Sequence, residues 1–198
     1  AKGLIGTFIS AISGGSLYRK TSFLVDHLGK LVFPDFISIY QRPTIAGGYS
    51  SAPFDNEGVA TKDLNYVTDG LVSNYVLGSY SARQLGMQTT GNAGGVRNLR
   101  LSSGDKDLSQ LCHAMGSGLL VTELMGQGIN LLTGTYSRGA SGFWVENGEI
   151  QYPVHEITIA GNLKDMFANV LAVGNDTDTR SNIHSGSILL ALMTIAGL

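Results

Sequence analysis

The 198-residue chain has little of what marks a special environment: one cysteine, four prolines, one tryptophan and 14% charged residues, where a soluble domain typically carries about a quarter charged. A lone Cys112 excludes an internal disulfide framework and fits a reducing compartment, so a cytoplasmic setting is expected. Lys and Arg never form a run and the formal net charge is -2. No basic stripe is available for a phosphate backbone, which argues against direct nucleic-acid binding. Long hydrophobic runs are missing too. The longest, "SILLALMTIAGL" at 187–198, falls short of the roughly 20 apolar residues that cross a bilayer and reads as a buried closing strand. The opening "AKGLIGTFISAISGG" has the outline of a secretory signal, but only one cation precedes its apolar part. Gly3, Gly6, Ser10 and Ser13 space the apolar residues as a helix face does, so an internal helix is expected.

What the chain has in excess is glycine, 27 residues, about twice average usage. Asn147-Gly148 stands between two apolar runs in "YSRGASGFWVENGEIQYPV" at 136–154, the pattern of a β-hairpin closed by a type I′ turn, whose central residues must accept positive φ. Asp69-Gly70 gives residues 61–77 the same reading. Residues 17–43 read as extended segments with a strand over 36–40 ended by Pro43, and 91–96 as loop. Helical turns are expected at 79–86. A helix over 105–115 would start at Asp105 and stop at Gly116, with Leu108, Leu111 and Met115 on one face. A second, over 163–173, would be capped by Asn162 and stopped by Gly174, with Met166, Val170 and Val173 at helical spacing. No repeat or low-complexity linker divides the sequence. The expectation is one domain, residues 1–198, of α+β class with a largely antiparallel, barrel-like sheet.

Residue types that carry chemistry are scattered. His27, His113, His155 and His184 are far apart, and none has a second ligand at the spacing that puts two donors on one helical face. "HEITIAG" at 155 starts like a zinc-peptidase helix, but its alternating β-branched residues indicate a strand, which would turn His155 and Glu156 to opposite faces. "FDNEG" and "NDTDT" lack the spacing of a calcium loop and read as acidic turns. "RGASGF" is not a nucleophile elbow, and Cys112 falls among apolar neighbours in a helix, as an inert thiol does. The glycines of "GSGLLV" and "GQGINL" lack the βαβ context of a dinucleotide site. Glu146 and Glu149 flank a solvated turn, where nothing raises a pKa. The residues alone describe a non-catalytic domain.

The segment "ELMGQGINLLTGTYSRGASGFWVENGEIQYPVHEITIAGNLKDM" at 123–166 resembles the C-terminal domain of the TldD/PmbA family, in its PmbA (TldE) branch. The likeness extends through "AISGGSLYRKTSFLVD" at 11–26, "SAPFDNEGV" at 51–59, "SYSARQLG" at 79–86, "GNAGG" at 91–95 and "VGNDTDTRSNI" at 173–183. The resemblance implies a parent roughly twice this length, with an N-terminal domain ahead of these residues. It also implies a role in a peptidase pair that degrades unfolded peptides and trims leader peptides, in a family also labelled modulators of DNA gyrase. In that family the zinc-bearing chain carries an H-E-x-x-x-H helix and a later cysteine ligand. Here the matching helix is "LIGTFISAISGG", whose ligand positions fall near Ile5, Gly6 and Ser10, with the cysteine position near Ala172.

The resemblance therefore implies no metal ligands and no catalytic residue in this chain, no cofactor of its own, and zinc in a TldD-like partner. Peptide-binding or interface candidates are Tyr136, Arg138, Gly139, Phe143 and Trp144, on a sheet surface where an extended peptide could add as a strand; Trp and Arg are enriched in interface cores. A plainer alternative is that Trp144 caps the barrel core and Arg138 pairs with a nearby carboxylate. A homodimeric structural or regulatory binding protein without peptidase function is the other functional class. Neither requires a membrane.

Overall fold

The opening apolar stretch is a helix, α1 (Lys2–Ala11), which buries Leu4, Ile5, Phe8 and Ala11 along one face. On its outer side the hydroxyls of Thr7 and Ser10 donate back to the carbonyls of Gly3 and Gly6, a local bond that small hydroxyl residues make four positions along a helix. The structure is a computed structural model describing residues 1–197. It comprises two compact units, Ala1–Ser102 with Thr177–Gly186, and Ser103–Asp176 with the segment from Ser187 onward.

With strands and helices numbered along the chain, the first unit also contains α2 (Gly14–Tyr18), α3 (Ser79–Gln84), β1 (Ile39–Gln41), β2 (Leu64–Thr68), β3 (Leu71–Val72), β4 (Leu99–Leu101) and β10 (Ile183–His184). Its sheet runs β10-β4-β1-β2-β3, antiparallel except for the parallel β10–β4 pair. Phe8 meets Phe33 edge to face with ring centroids 5.0 Å apart, and Ile5, Ile12, Ile39 and Leu99 are buried as well. The β2–β3 hairpin turns at Asp69 and Gly70 with φ 48° and 77°, as a type I′ turn requires. The first strand begins at Ile39 rather than at 36. Pro34 starts a tight turn closed by the N–H of Ile37 on its carbonyl, which takes Phe36 out of the ladder.

The second unit contains α4 (Leu108–Met115), β5 (Gly118–Met125), β6 (Ile129–Asn130), β7 (Thr135–Glu146), β8 (Glu149–Asn162), α5 (Leu163–Ala168), β9 (Val170–Val173), β11 (Ile188–Leu190) and β12 (Thr194–Ala196). The cap of α4 is Asp107, not Asp105, because Gln110 three residues on completes a reciprocal capping box that Asp105 cannot make. Asn162 caps α5 by accepting the N–H of Lys164 at 3.0 Å, but the helix ends by Asn169. Val170 and Val173 belong to β9, paired with β11 across an irregularity that leaves Leu171 extra; the bulge produces the three-residue apolar spacing that imitates a helix. The 187–197 stretch is not a buried closing strand. It forms two short strands, half-buried at best, with Leu192 86% exposed, and residue 198 lies outside the described residues.

The α+β class and the largely antiparallel pairing stand, but no sheet is closed into a barrel. In the second unit the order is β12-β8-β7-β5 with β6 also on β7, and β9 and β11 form a separate two-stranded sheet. Closure demands that the outer strands pair with one another, whereas β12 pairs with β8 and β5 with β7. Among the described residues no helix is long and apolar enough to cross a membrane.

Candidate functional site

The β7–β8 hairpin is the longest continuous feature of the second unit. It turns at Asn147 and Gly148, with φ 54° and 79°, and Glu146 and Glu149 pair across the turn, both exposed. The N–H of Gly148 donates to the carbonyl of Gly116, just past α4, at 2.7 Å. Trp144 and Arg138, odd residues for a plain hairpin, lie on a β7 that is irregular on both flanks. Opposite Ser141, β5 carries an extra Thr122, and β8 sets two residues, His155 and Glu156, against the one. Glu156 takes φ 58°, so the expected alternation fails there and His155 and Glu156 are both exposed. A bulge of this kind bends the strand and increases its twist.

Strand alternation along β7 puts Tyr136, Arg138 and Trp144 on one face and Gly139 and Phe143 on the other, so the structure divides the five candidates rather than gathering them. Tyr136 is buried, Arg138 half-buried. Burial pushes the Tyr136 phenol up, and the Arg138 charge and hydrogen bond at its side pull it only part of the way back. Among the described residues Arg138 makes no ion pair; it reaches the carbonyls of Met125 and Leu124 at 3.4 and 3.5 Å, loose contacts at the limit of a hydrogen bond. Near the tip, Leu119, Trp144 and Tyr152 form one cross-strand row and Leu120, Phe143 and Pro153 the next. Both faces of the tip are thus apolar, and Phe143, Ile150 and Tyr152 are exposed by 36%, 52% and 54%.

On α1, Ile5 is 1% exposed and belongs to the core. Gly6 faces the side chain of Ile183, whose Cδ1 lies 3.6 Å from where a Cβ would stand, and the Ser10 hydroxyl is used on the Gly6 carbonyl. Ala172 lies on β9. An alkyl chain, a hydrogen and an occupied hydroxyl do not fit a zinc ion, which takes imidazole, thiolate or carboxylate. Among the described residues no three of His, Cys, Asp and Glu converge as a metal site would need. Cys112 is buried, and desolvation raises its thiol pKa, the reverse of an activated nucleophile.

Two features escaped sequence reasoning. The "FDNEG" carboxylate, Asp55, is 3% exposed and is consumed by three backbone N–H groups, those of Glu57, Val59 and Ala93. On the first sheet, Arg100 and His184 stand side by side in register; the alternation of "LRL" at 99–101 was the available signal, in strands too short to reveal it.

Comparison with known proteins bears on all of this. The profile of the PmbA/TldA metallopeptidase C-terminal domain matches residues 1–197. Metalloprotease PmbA of Escherichia coli is 56% identical over 197 residues, covering 100% of this chain and 44% of that protein. Among solved structures, a Bacteroides thetaiotaomicron protein named as a candidate modulator of DNA gyrase superposes with TM-score 0.94 at 31% identity, covering 100% of this chain and 45% of its own. TldE from Thermococcus kodakarensis, with TM-score 0.81 at 24% identity over 97% of this chain and 48% of its own, shares the fold. The chain thus spans less than half the length of these proteins.

Proposed function

The chain belongs to the PmbA/TldA metallopeptidase family, whose C-terminal domain it matches over residues 1–197, and from that premise we propose that its parent acts as the non-catalytic subunit of a TldD/TldE-type peptidase. The observation that carries this reading is the chemistry of α1. Where the family's zinc-bearing chain holds imidazole and carboxylate, this helix offers Ile5, Gly6 and Ser10, and neighbouring Ile183 is equally inert. None of these four side chains can hold a metal that lowers the pKa of a bound water or polarises a carbonyl, so the hydrolytic step falls to a zinc-bearing partner.

This chain's share is to enclose and hold unfolded or leader peptides. An extended peptide presents unpaired main-chain groups, and an open sheet edge such as the outer side of β5 can take them as an added strand. Tyr136 and Arg138 on one face of β7, and Phe143 with Gly139 on the other, would line such a strand or the joint with the partner. The apolar tip of the hairpin also supports the second reading, a homodimeric structural or regulatory binding protein, because exposed Phe143, Ile150 and Tyr152 suit self-association equally. A cytoplasmic setting accords with the lone, buried Cys112.

Co-expression of the full-length parent with a metal-bearing homologue distinguishes the readings. A stable complex that cuts unstructured peptides, zinc-dependent and faster than either protein alone, is the expected result. A parent that self-associates, ignores the homologue and adds nothing to cutting would replace this reading with the homodimer.

A further inference from the structure

Across three neighbouring strands of the first sheet, Tyr40, Arg100 and His184 stand in one row, Tyr40 opposite Arg100 on β1 and His184 opposite Arg100 on β10. Alternation turns them to the face away from the buried Ile39, Leu99 and Leu101. Arg42 joins them by stacking on the Tyr40 ring, 4.4 Å from its centroid. Arg42 has its counter-charge, Asp63, at 3.3 Å; Arg100 has none among the described residues. The Nε of Arg100 and the Nε2 of His184 are cut off from solvent and lack any hydrogen-bond partner.

A donor withdrawn from water without an acceptor is a standing cost. That cost disappears if one oxyanion accepts from both. The Nε edge of a guanidinium offers two parallel N–H groups spaced for the two oxygens of a carboxylate, and a neighbouring imidazole can supply a third. We propose that Arg100 and His184 form a carboxylate-binding site on the first unit, taking the terminal or side-chain carboxylate of a bound peptide. Only the peptide as source of that carboxylate rests on the function proposed above; the site itself rests on the unpartnered pair.

The test titrates three fluorescent N-acylated tripeptides into the full-length protein without any partner: tri-alanine with a free terminal carboxylate, its amide, and an Ala-Glu-Ala amide. At least one carboxylate peptide should bind about tenfold or more tightly than the tri-alanine amide, and which one does so names the source. Arg100→Gln should abolish the preference, Arg100→Lys should restore only part of it because the fork is lost, and His184→Gln should reduce it. Equal binding of all three peptides, no binding by any, or a preference unchanged in both Arg100→Gln and His184→Gln would overturn the site. Should Arg100→Gln fail to fold by circular dichroism, the wild-type comparison and His184→Gln still decide. Because cutting is not measured, failure of the peptidase complex and failure of this site give different results.

Discussion

The carboxylate of Asp55 accepts the backbone N–H of Ala93 at 2.9 Å through Oδ2, while its Oδ1 takes those of Glu57 and Val59 at 2.9 and 3.0 Å. One buried side chain thus ties the 53–60 turn to the glycine-rich loop at 91–95. Asp55→Asn puts an amide N–H₂ where at least one of those donors needs an acceptor. The loss should be about 2 to 4 kcal/mol, the scale of charge-assisted bonds with a donor left unpaired, read as a lower midpoint in urea unfolding.

The same carboxylate sets a pH dependence. Burial works to raise the Asp55 pKa, but the N–H groups of Ala93, Glu57 and Val59, helped by the Arg97 charge, outweigh it and hold the group below the ordinary value. A depressed folded pKa contributes stability that is complete above the unfolded value, about pH 4, and is lost as pH falls through the folded value. Wild type should therefore lose stability below about pH 4 more steeply than Asp55→Asn does, in thermal melts from pH 7 to pH 2.

Gly139 and Gly142 lie three residues apart on β7 with opposite tolerances. A Cβ on Gly142 would overlap the Leu120 carbonyl oxygen and stand 3.0 Å from the Val121 Cα, both backbone, whereas on Gly139 it would meet Met125 no closer than 3.4 Å, at its Cβ. Gly142→Ala should cost about 2 to 3 kcal/mol, and Gly139→Ala within about 0.5 kcal/mol. Denaturant midpoints of the two variants give the comparison directly.

Cys112 should resist alkylation in the native protein. Its thiol is buried and its pKa raised by desolvation, and the thiolate is the reactive form. Iodoacetamide labelling at pH 8, followed by mass spectrometry, should be slow in buffer and accelerate by at least about tenfold in denaturant.

Arg138 is held by two long contacts to carbonyls, so Arg138→Ala should change stability by less than about 1 kcal/mol. If the hairpin lines the joint with a partner or peptide, the same variant should weaken complex formation with the metal-bearing homologue by about tenfold, the scale of an interface arginine. Unchanged association would remove Arg138 from that role.

Both hairpins were legible from the sequence because Asn147-Gly148 and Asp69-Gly70 are residue pairs that accept positive φ, a requirement met within two positions. The capping of α5 by Asn162 was equally local. The helix expected over 163–173 failed at Val170 because a distant strand, Ile188–Leu190, captured it, and no local pattern shows that. The expected barrel is not formed because closure would need β5 to pair with β12, far apart in sequence, and no local pattern reports on that. Ile183 beside Gly6 and the Arg100–His184 pair depend on a two-residue strand returning to the first unit, which leaves almost no periodic trace.

The extra residue on β5, Thr122, and the one on β8, within His155-Glu156, lie level with one another on either side of Ser141. They act as a fixed dislocation in the ladder, so the outer part of the hairpin keeps its own phase. Excising one residue from either neighbour would slide that strand by half a pleat and invert which of Leu119 and Leu120, or of Tyr152 and Pro153, looks inward. Thr122, His155 and Glu156 should therefore tolerate substitution far better than deletion.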